Sequence, residues 1–180
     1  MRARRGFTLV EMLAVLAVAG ILFMLGAPSL AAALRVTRVS SASNEFLASL
    51  LLTRSEAMKR KHRVVMCRSA DALACAPTGG WQQGWIVFAD ADGDGERDAG
   101  EPVLYVQHAL GAAMRLTGTA TVAKYVSYAP NGTTRLVGGG FQAGTLTVCS
   151  ASAEKGTGRQ VIVNATGRPR TQKVELPSCA

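Results

Sequence analysis

Gly6-Phe7-Thr8-Leu9-Val10-Glu11 opens the stretch that decides the fold, with Arg2, Arg4 and Arg5 before it and an apolar run after it. From Met12 to Leu34 there is no charged residue, and Leu, Ala, Val and Ile dominate. About 20 apolar residues suffice for a helix to cross the core of a bilayer. The arginines directly before the run predict a cytoplasmic N-terminus, with the chain beyond the run sent across the membrane. A conventional secretory signal is the rival reading, because Ala31-Ala32-Ala33 imitates its small-residue cleavage site. Two features oppose it. The apolar stretch is too long for a signal core, and Glu11 lies near its beginning. A carboxylate inside a membrane segment costs about 2.5–3.5 kcal/mol, so it normally has a partner or a role.

The remainder of the 180-residue chain is polar and punctuated by glycine, which leaves room for one aqueous domain beside the helix. The formal net charge is +8, and the chain stays basic without Arg2, Arg4 and Arg5. Such a balance suits solubility and attraction to anionic surfaces, nucleic acid being the sharper reading. Cys67, Cys75, Cys149 and Cys179 form no CxxC pairs, so a zinc site is not indicated. In a domain outside the cytoplasm they are expected to form two disulfides. Three pairings are formally open; the preferred one joins Cys67 to Cys75 and Cys149 to Cys179.

The helix is expected to continue to about His62. Val39, Phe46, Leu50 and Ala57 recur at helical spacing, and Leu47, Leu51 and Met58 widen that apolar face. Arg54, Glu56, Lys59, Arg60 and Lys61 are read as its solvated face. After Arg63 the period shortens. Val64–Arg68, Trp85–Ala89, Val103–Gln107, Tyr125–Ala129, Leu146–Cys149 and Gln160–Asn164 read as short strands, separated by turn signals such as Asn131-Gly132 and Gly138-Gly139-Gly140. A helix followed by antiparallel strands predicts an α+β domain: a long transmembrane-plus-amphipathic N-terminal helix packed on antiparallel sheet.

Gly6-Phe7-Thr8-Leu9-Val10-Glu11, followed by an apolar helix containing Pro28, resembles the class III signal of type IV pilins and type II secretion pseudopilins. The resemblance implies a leader, residues 1–6, cut between Gly6 and Phe7 by a prepilin peptidase, and N-methylation of Phe7. The helix of residues 7–34 is then retained, and Glu11 pairs with the new amine of Phe7 in a filament. Residues 35–180 become the domain outside the cytoplasm. Further landmarks run Arg54-Ser55-Glu56-Ala57, Val64-Val65-Met66-Cys67, Gly84-Trp85-Ile86-Val87-Phe88 and Gly167-Arg168-Pro169-Arg170. In that order they resemble the GspH/FimT family of minor pilins and pseudopilins, the cysteines and the arginine-rich end being closer to its FimT branch. A low-abundance filament subunit is implied, with other major and minor pilins or pseudopilins and the inner membrane as its partners.

Two candidate sites stand out. Asp90, Asp92, Asp94, Asp98 and Glu101, with Gly95 among them, fit the spaced acids of a calcium loop. The flanks read as strands and Arg97 intrudes, so a polar hairpin tip is the competing reading. No cofactor other than calcium is suggested. Lys155, Arg159, Arg168, Arg170 and Lys173 make an acid-free basic segment in which Gly167–Arg170 forms a turn. Arginines there can grip phosphates in bidentate fashion. FimT-like proteins use a Gly-Arg-x-Arg element at this position to bind DNA in transformation, so the resemblance implies DNA as a partner. The competing reading is a solvated basic turn. Trp81 and Trp85 are read as core residues. His62 and His108 are isolated, and no nucleophile, phosphate-loop or paired-carboxylate constellation indicates an enzyme. The alternatives kept open are a secretion pseudopilin handling folded protein, and a secreted calcium-binding or adhesive module.

Overall fold

The computed structural model describes residues 8–151 and 156–179, and the chain divides into two compact units, Met1–Thr37 and Arg38–Ala180. One helix, α1 (Leu9–Arg60), contributes residues to both. In the first unit Thr8 and Glu11 form a capping box. The backbone N–H and hydroxyl of Thr8 donate to Glu11 Oε2 at 3.0 and 3.1 Å, and the Glu11 N–H donates to Thr8 Oγ1 at 3.3 Å. Donors that a helix start leaves without intrahelical partners are thereby satisfied. Large apolar side chains are exposed beyond this cap, Leu13, Leu16, Ile21, Leu22 and Phe23 among them. By length and composition the helix can cross a membrane.

In the second unit α1 buries one face. Val39, Phe46, Leu50 and Ala57 are buried as their spacing predicts, whereas Leu51 and Met58 are exposed and Ala42, Ser43, Ser49 and Thr53 are buried instead. At 3.6 residues per turn, Leu51 and Met58 lie about 100° and 80° round the helix from Leu50, outside the stripe. Ser49 and Thr53 lie inside it and are small. Their hydroxyls donate to Glu45 O at 3.0 Å and Ser49 O at 2.6 Å, so no polar group is stranded at these two positions. Phe46 stands edge-on to Trp81 and to Trp85, with ring centroids 5.1 Å apart in both cases. The two indoles donate to Val122 O and Ser49 Oγ, each at 3.0 Å, which lets them be wholly buried. Both tryptophans are thus core residues.

The helix stops at Arg60, two residues short of the expected end. Lys61 adopts φ +60° and its N–H donates to Ala57 O at 3.0 Å, a left-handed C-terminal stop. Lys59 and Arg60 pair with Glu56 at 3.4 and 2.6 Å.

Eight strands complete the domain among the described residues: β1 (Arg63–Arg68), β2 (Trp85–Asp90), β3 (Val103–Gln107), β4 (Met114–Gly118), β5 (Tyr125–Tyr128), β6 (Gly144–Ser150), β7 (Gly156–Val163) and β8 (Arg170–Leu176). They form two antiparallel sheets, ordered β3-β2-β1-β5 and β4-β6-β7-β8. Six match expected strands; β4 and β8 are additions. Trp85 and Val87 of β2 join the main core with the face of α1, while Ile86 and Phe88 meet Val65 and Cys67 in a second cluster on the other face. Ala72 and Cys75 cover that second cluster, because the Cys67–Cys75 disulfide draws their loop over it. Arg68 fastens the same loop. Its guanidinium donates to Ala76 O, Pro77 O, Gly79 O and Ala123 O at 2.5–3.4 Å, so a buried cation is satisfied by carbonyls alone. The second disulfide joins Cys149 of β6 to Cys179, beyond β8.

Candidate nucleic-acid interface and acidic loop

The arginine turn is the connection between β7 and β8. Asn164 shapes it from within: its carbonyl accepts the Gly167 N–H at 2.9 Å, and its side-chain Oδ1 accepts the Arg168 N–H at 3.1 Å and the Thr166 hydroxyl at 2.8 Å. Gly167 has φ +75°, and a Cβ added there would overlap the Gly132 carbonyl oxygen. Only glycine fits so close to another backbone. The turn therefore rests against the Asn131-Gly132 turn, and two further bonds lock the pair. Thr134 Oγ1 donates to Asn164 O at 2.7 Å, and Arg54 Nε donates to Gly132 O at 3.1 Å. Arg54, expected on a solvated face, is half-buried and supports this junction.

Of the expected DNA-binding cations, the four among the described residues, Arg159, Arg168, Arg170 and Lys173, do not all share one face of the sheet. Arg168 and Arg170 are exposed at the turn and at the first residue of β8. In the β7–β8 ladder Arg170 lies opposite Ile162, and Lys173 lies opposite Arg159. Strand side chains alternate between faces, so Arg170 and Lys173 occupy opposite faces of the sheet. Arg159 shares the face of the buried Val161 and Val163. The split arises because the chain leaves the expected Gly167–Arg170 turn as β8, a strand not expected from sequence, whose alternation puts Arg170 and Lys173 on opposite faces. Lys155, like Gly6 and Phe7, lies outside the described residues.

The acidic segment joins β2 to β3, as the hairpin reading expects. Asp90, Asp92 and Asp94 each offer a carboxylate oxygen within 4.8 Å of the others; Asp98 and Glu101 are not in that group. The loop uses its acids to close itself. Asp90 accepts the N–H groups of Gly93 and Gly95 at 2.8 and 3.2 Å, and Glu101 accepts those of Ala91 and Asp98 at 2.7 and 3.2 Å. Arg63 lies 3.8 Å from Asp90. Burial raises the Asp90 carboxyl to about 6, against the pull of the Gly93 N–H and Arg63. Arg97 is committed to backbone, donating to Glu101 O and Leu73 O.

A long apolar N-terminal helix with an acid in its first turn, carrying an antiparallel two-sheet domain, defines a membrane-anchored subunit of the pilin class. The sequence profile of the prokaryotic N-terminal methylation motif matches residues 1–27, and that of the type II transport protein GspH matches residues 42–167. The chain belongs to the GspH family. Its fold resembles the type IV minor pilin FimU of Pseudomonas aeruginosa, with a TM-score of 0.60 at 20% identity over 80% of this chain and 96% of that one. It also resembles the minor pseudopilin EpsH of the type 2 secretion system of Vibrio cholerae, with a TM-score of 0.50 at 13% identity over 75% of this chain and 96% of that one. No curated protein matches the chain. The family and fold are those of structural subunits that assemble with other pilins into filaments, in a type IV pilus or a type II secretion system.

Proposed function

We propose that the protein is a minor pilin of a type IV pilus-like filament that binds extracellular DNA for uptake through Arg168 and Arg170. On this reading the helix lies in the inner membrane, the N-terminus is cytoplasmic, and residues 35–180 face the periplasm or the filament surface. The observation that carries it is the locked turn. Asn164, Gly167 against Gly132, and Thr134 fix the backbone from which two exposed arginines project. Little ordering then remains to be done when they engage phosphate, which is the physical advantage of a preorganised site. Contacts to phosphate alone carry no sequence information, so any duplex should compete equally.

The test uses the full chain in detergent micelles and fluorescent random-sequence duplexes. Replacing Arg168→Gln and Arg170→Gln together should remove most binding and leave the melting temperature unchanged. With roughly 2–4 phosphates neutralised, parent affinity should fall with salt at a log–log slope of about −2 to −4. Binding by the double variant as tight as the parent's, at matched ionic strength, would refute the assignment. A second reading, a pseudopilin of a type II secretion system, is supported by the GspH profile and the EpsH-like fold. Mass spectrometry of the filament subunits crosslinked to the chain in its native cell separates the two.

A further inference from the structure

Phe141 is 63% exposed. A bare aromatic ring of that size gains nothing from water. The Arg135 guanidinium carbon lies 4.3 Å from its centroid. Arg135 is itself held: it forms a backbone bridge with Phe141, and its Nη1 donates to Gly139 O at 3.1 Å. Its carbonyl accepts the Ser127 hydroxyl. The ring is thus presented on a short, fixed hairpin with a cation against it.

That hairpin is bonded to the arginine turn. Thr134 and Gln142, which adjoin Arg135 and Phe141 in sequence, are wholly buried, and Thr134 Oγ1 lies 2.6 Å from Gln142 O and 2.7 Å from Asn164 O. Asn164 in turn holds the backbone of Arg168. The hairpin that carries Arg135 and the exposed Phe141 is therefore bonded, through Thr134 and Asn164, to the turn that carries Arg168 and Arg170. Cations that track a phosphate backbone, together with a ring on which bases stack, are the two components of sequence-tolerant single-strand sites. A duplex can use only the first, because its base faces are covered by their neighbours.

We infer that Phe141, backed by Arg135, is a base-stacking platform beside the arginine turn, and that this face takes single-stranded DNA in preference to duplex. The inference rests on the DNA-binding reading above and names its substrate more narrowly. Phe141 makes the base contact; Arg135 orients the ring and adds charge.

The experiment measures anisotropy of a fluorescent oligothymidylate 12-mer and of a random 12-base-pair duplex against the full chain in detergent micelles. Phe141→Ala should weaken the single strand about five- to a hundredfold, leave the duplex within about twofold, and leave the melting temperature unmoved. Phe141→Tyr should restore single-strand binding. Phe141→Trp should lose indole fluorescence on adding the oligothymidylate, which a purely structural role would not produce. If Phe141→Ala changes neither affinity while Arg168→Gln with Arg170→Gln lowers both, the stacking inference fails and the phosphate reading survives. If the arginine pair changes neither, the phosphate reading fails, and the inference built on it fails too. Unchanged oligonucleotide binding by Phe141→Ala, together with lost crosslinking to neighbouring filament subunits, would assign the ring to a subunit contact and overturn the inference.

Discussion

Gly167 occupies a position that no side chain can share, with φ +75° and the Gly132 carbonyl where its Cβ would stand. Gly167→Ala should therefore destabilise the domain by about 1–3 kcal/mol in urea unfolding. It should also weaken DNA binding beyond any change in folded fraction, because the strain is relieved by moving Arg168. Equal affinity per folded molecule would separate the turn's geometry from binding. Phe46→Ala is the contrasting case. It removes the ring between Trp81 and Trp85, so stability should drop by about 3–5 kcal/mol with affinity per folded molecule intact. Phe46 is legible in the sequence because apolar spacing on a helix reports burial. Arg68, Ser49, Thr53 and Gln142 are not. They are buried because each polar group finds a partner, and for Arg68 and Gln142 these include carbonyls as distant as Ala123 O and Thr121 O. Composition and periodicity do not record such pairings. Arg54 departs from its expected solvated face for the same reason, its acceptor being 78 residues away.

The β7–β8 hairpin carries the arginine turn, and its outer strand is a sheet edge tied down by the bond from Cys149 to Cys179. With the cysteines separated by 30 positions in sequence, loop closure contributes about 3–4 kcal/mol in the chain-entropy picture. Replacing both cysteines with serine should lower stability by that order. Hydrogen exchange should show the loss first in β8, the strand that the bond's far end secures. Uniform loss across both sheets would mean that the hairpin is not a separately weakened element. β8 escapes a reading of the sequence because Arg170-Thr-Gln-Lys-Val-Glu-Leu176 has few apolar residues to mark alternation, and an edge strand needs few. β4 escapes because its Met-Arg-Leu-Thr-Gly has only two buried positions. The acidic hairpin tip is legible as a loop from its glycines and spaced acids. Asp90 and Glu101 already accept four backbone N–H groups. The loop should accordingly keep its shape without a divalent cation, and excess EDTA should leave the melting temperature unchanged. A rise of several degrees with millimolar calcium would instead make Asp90, Asp92 and Asp94 the core of a cation site.

The whole chain poses one question of chemistry that binding and stability measurements leave aside, namely what becomes of its first six residues. The methylation-motif match covers residues 1–27 and therefore both sides of the Gly6–Phe7 bond. An ordinary signal peptidase would remove the entire apolar stretch; a prepilin peptidase would remove only Met1–Gly6 and leave the helix as anchor and assembly surface. The capping box favours retention on physical grounds. Thr8 and Glu11 satisfy one another at the start of α1, so the acid already has one local partner while the subunit waits in the bilayer. A carboxylate there without partners would be costly. Cleavage at Gly6–Phe7 would place a new amine one residue before Thr8 in sequence, where it could neutralise Glu11 of its own or a neighbouring subunit. Intact-mass spectrometry of protein extracted from native membranes should show loss of six residues and gain of one methyl group. In Glu11→Ala the processed mass should show the same cleavage and methylation, whereas recovery in sheared filaments should fall, because the lost partner acts in assembly. A mature N-terminus near Leu34 would reject retention and return the chain to ordinary secretion. Correct processing with Glu11→Ala incorporated as well as the parent would keep the leader assignment and deny the carboxylate its part in assembly.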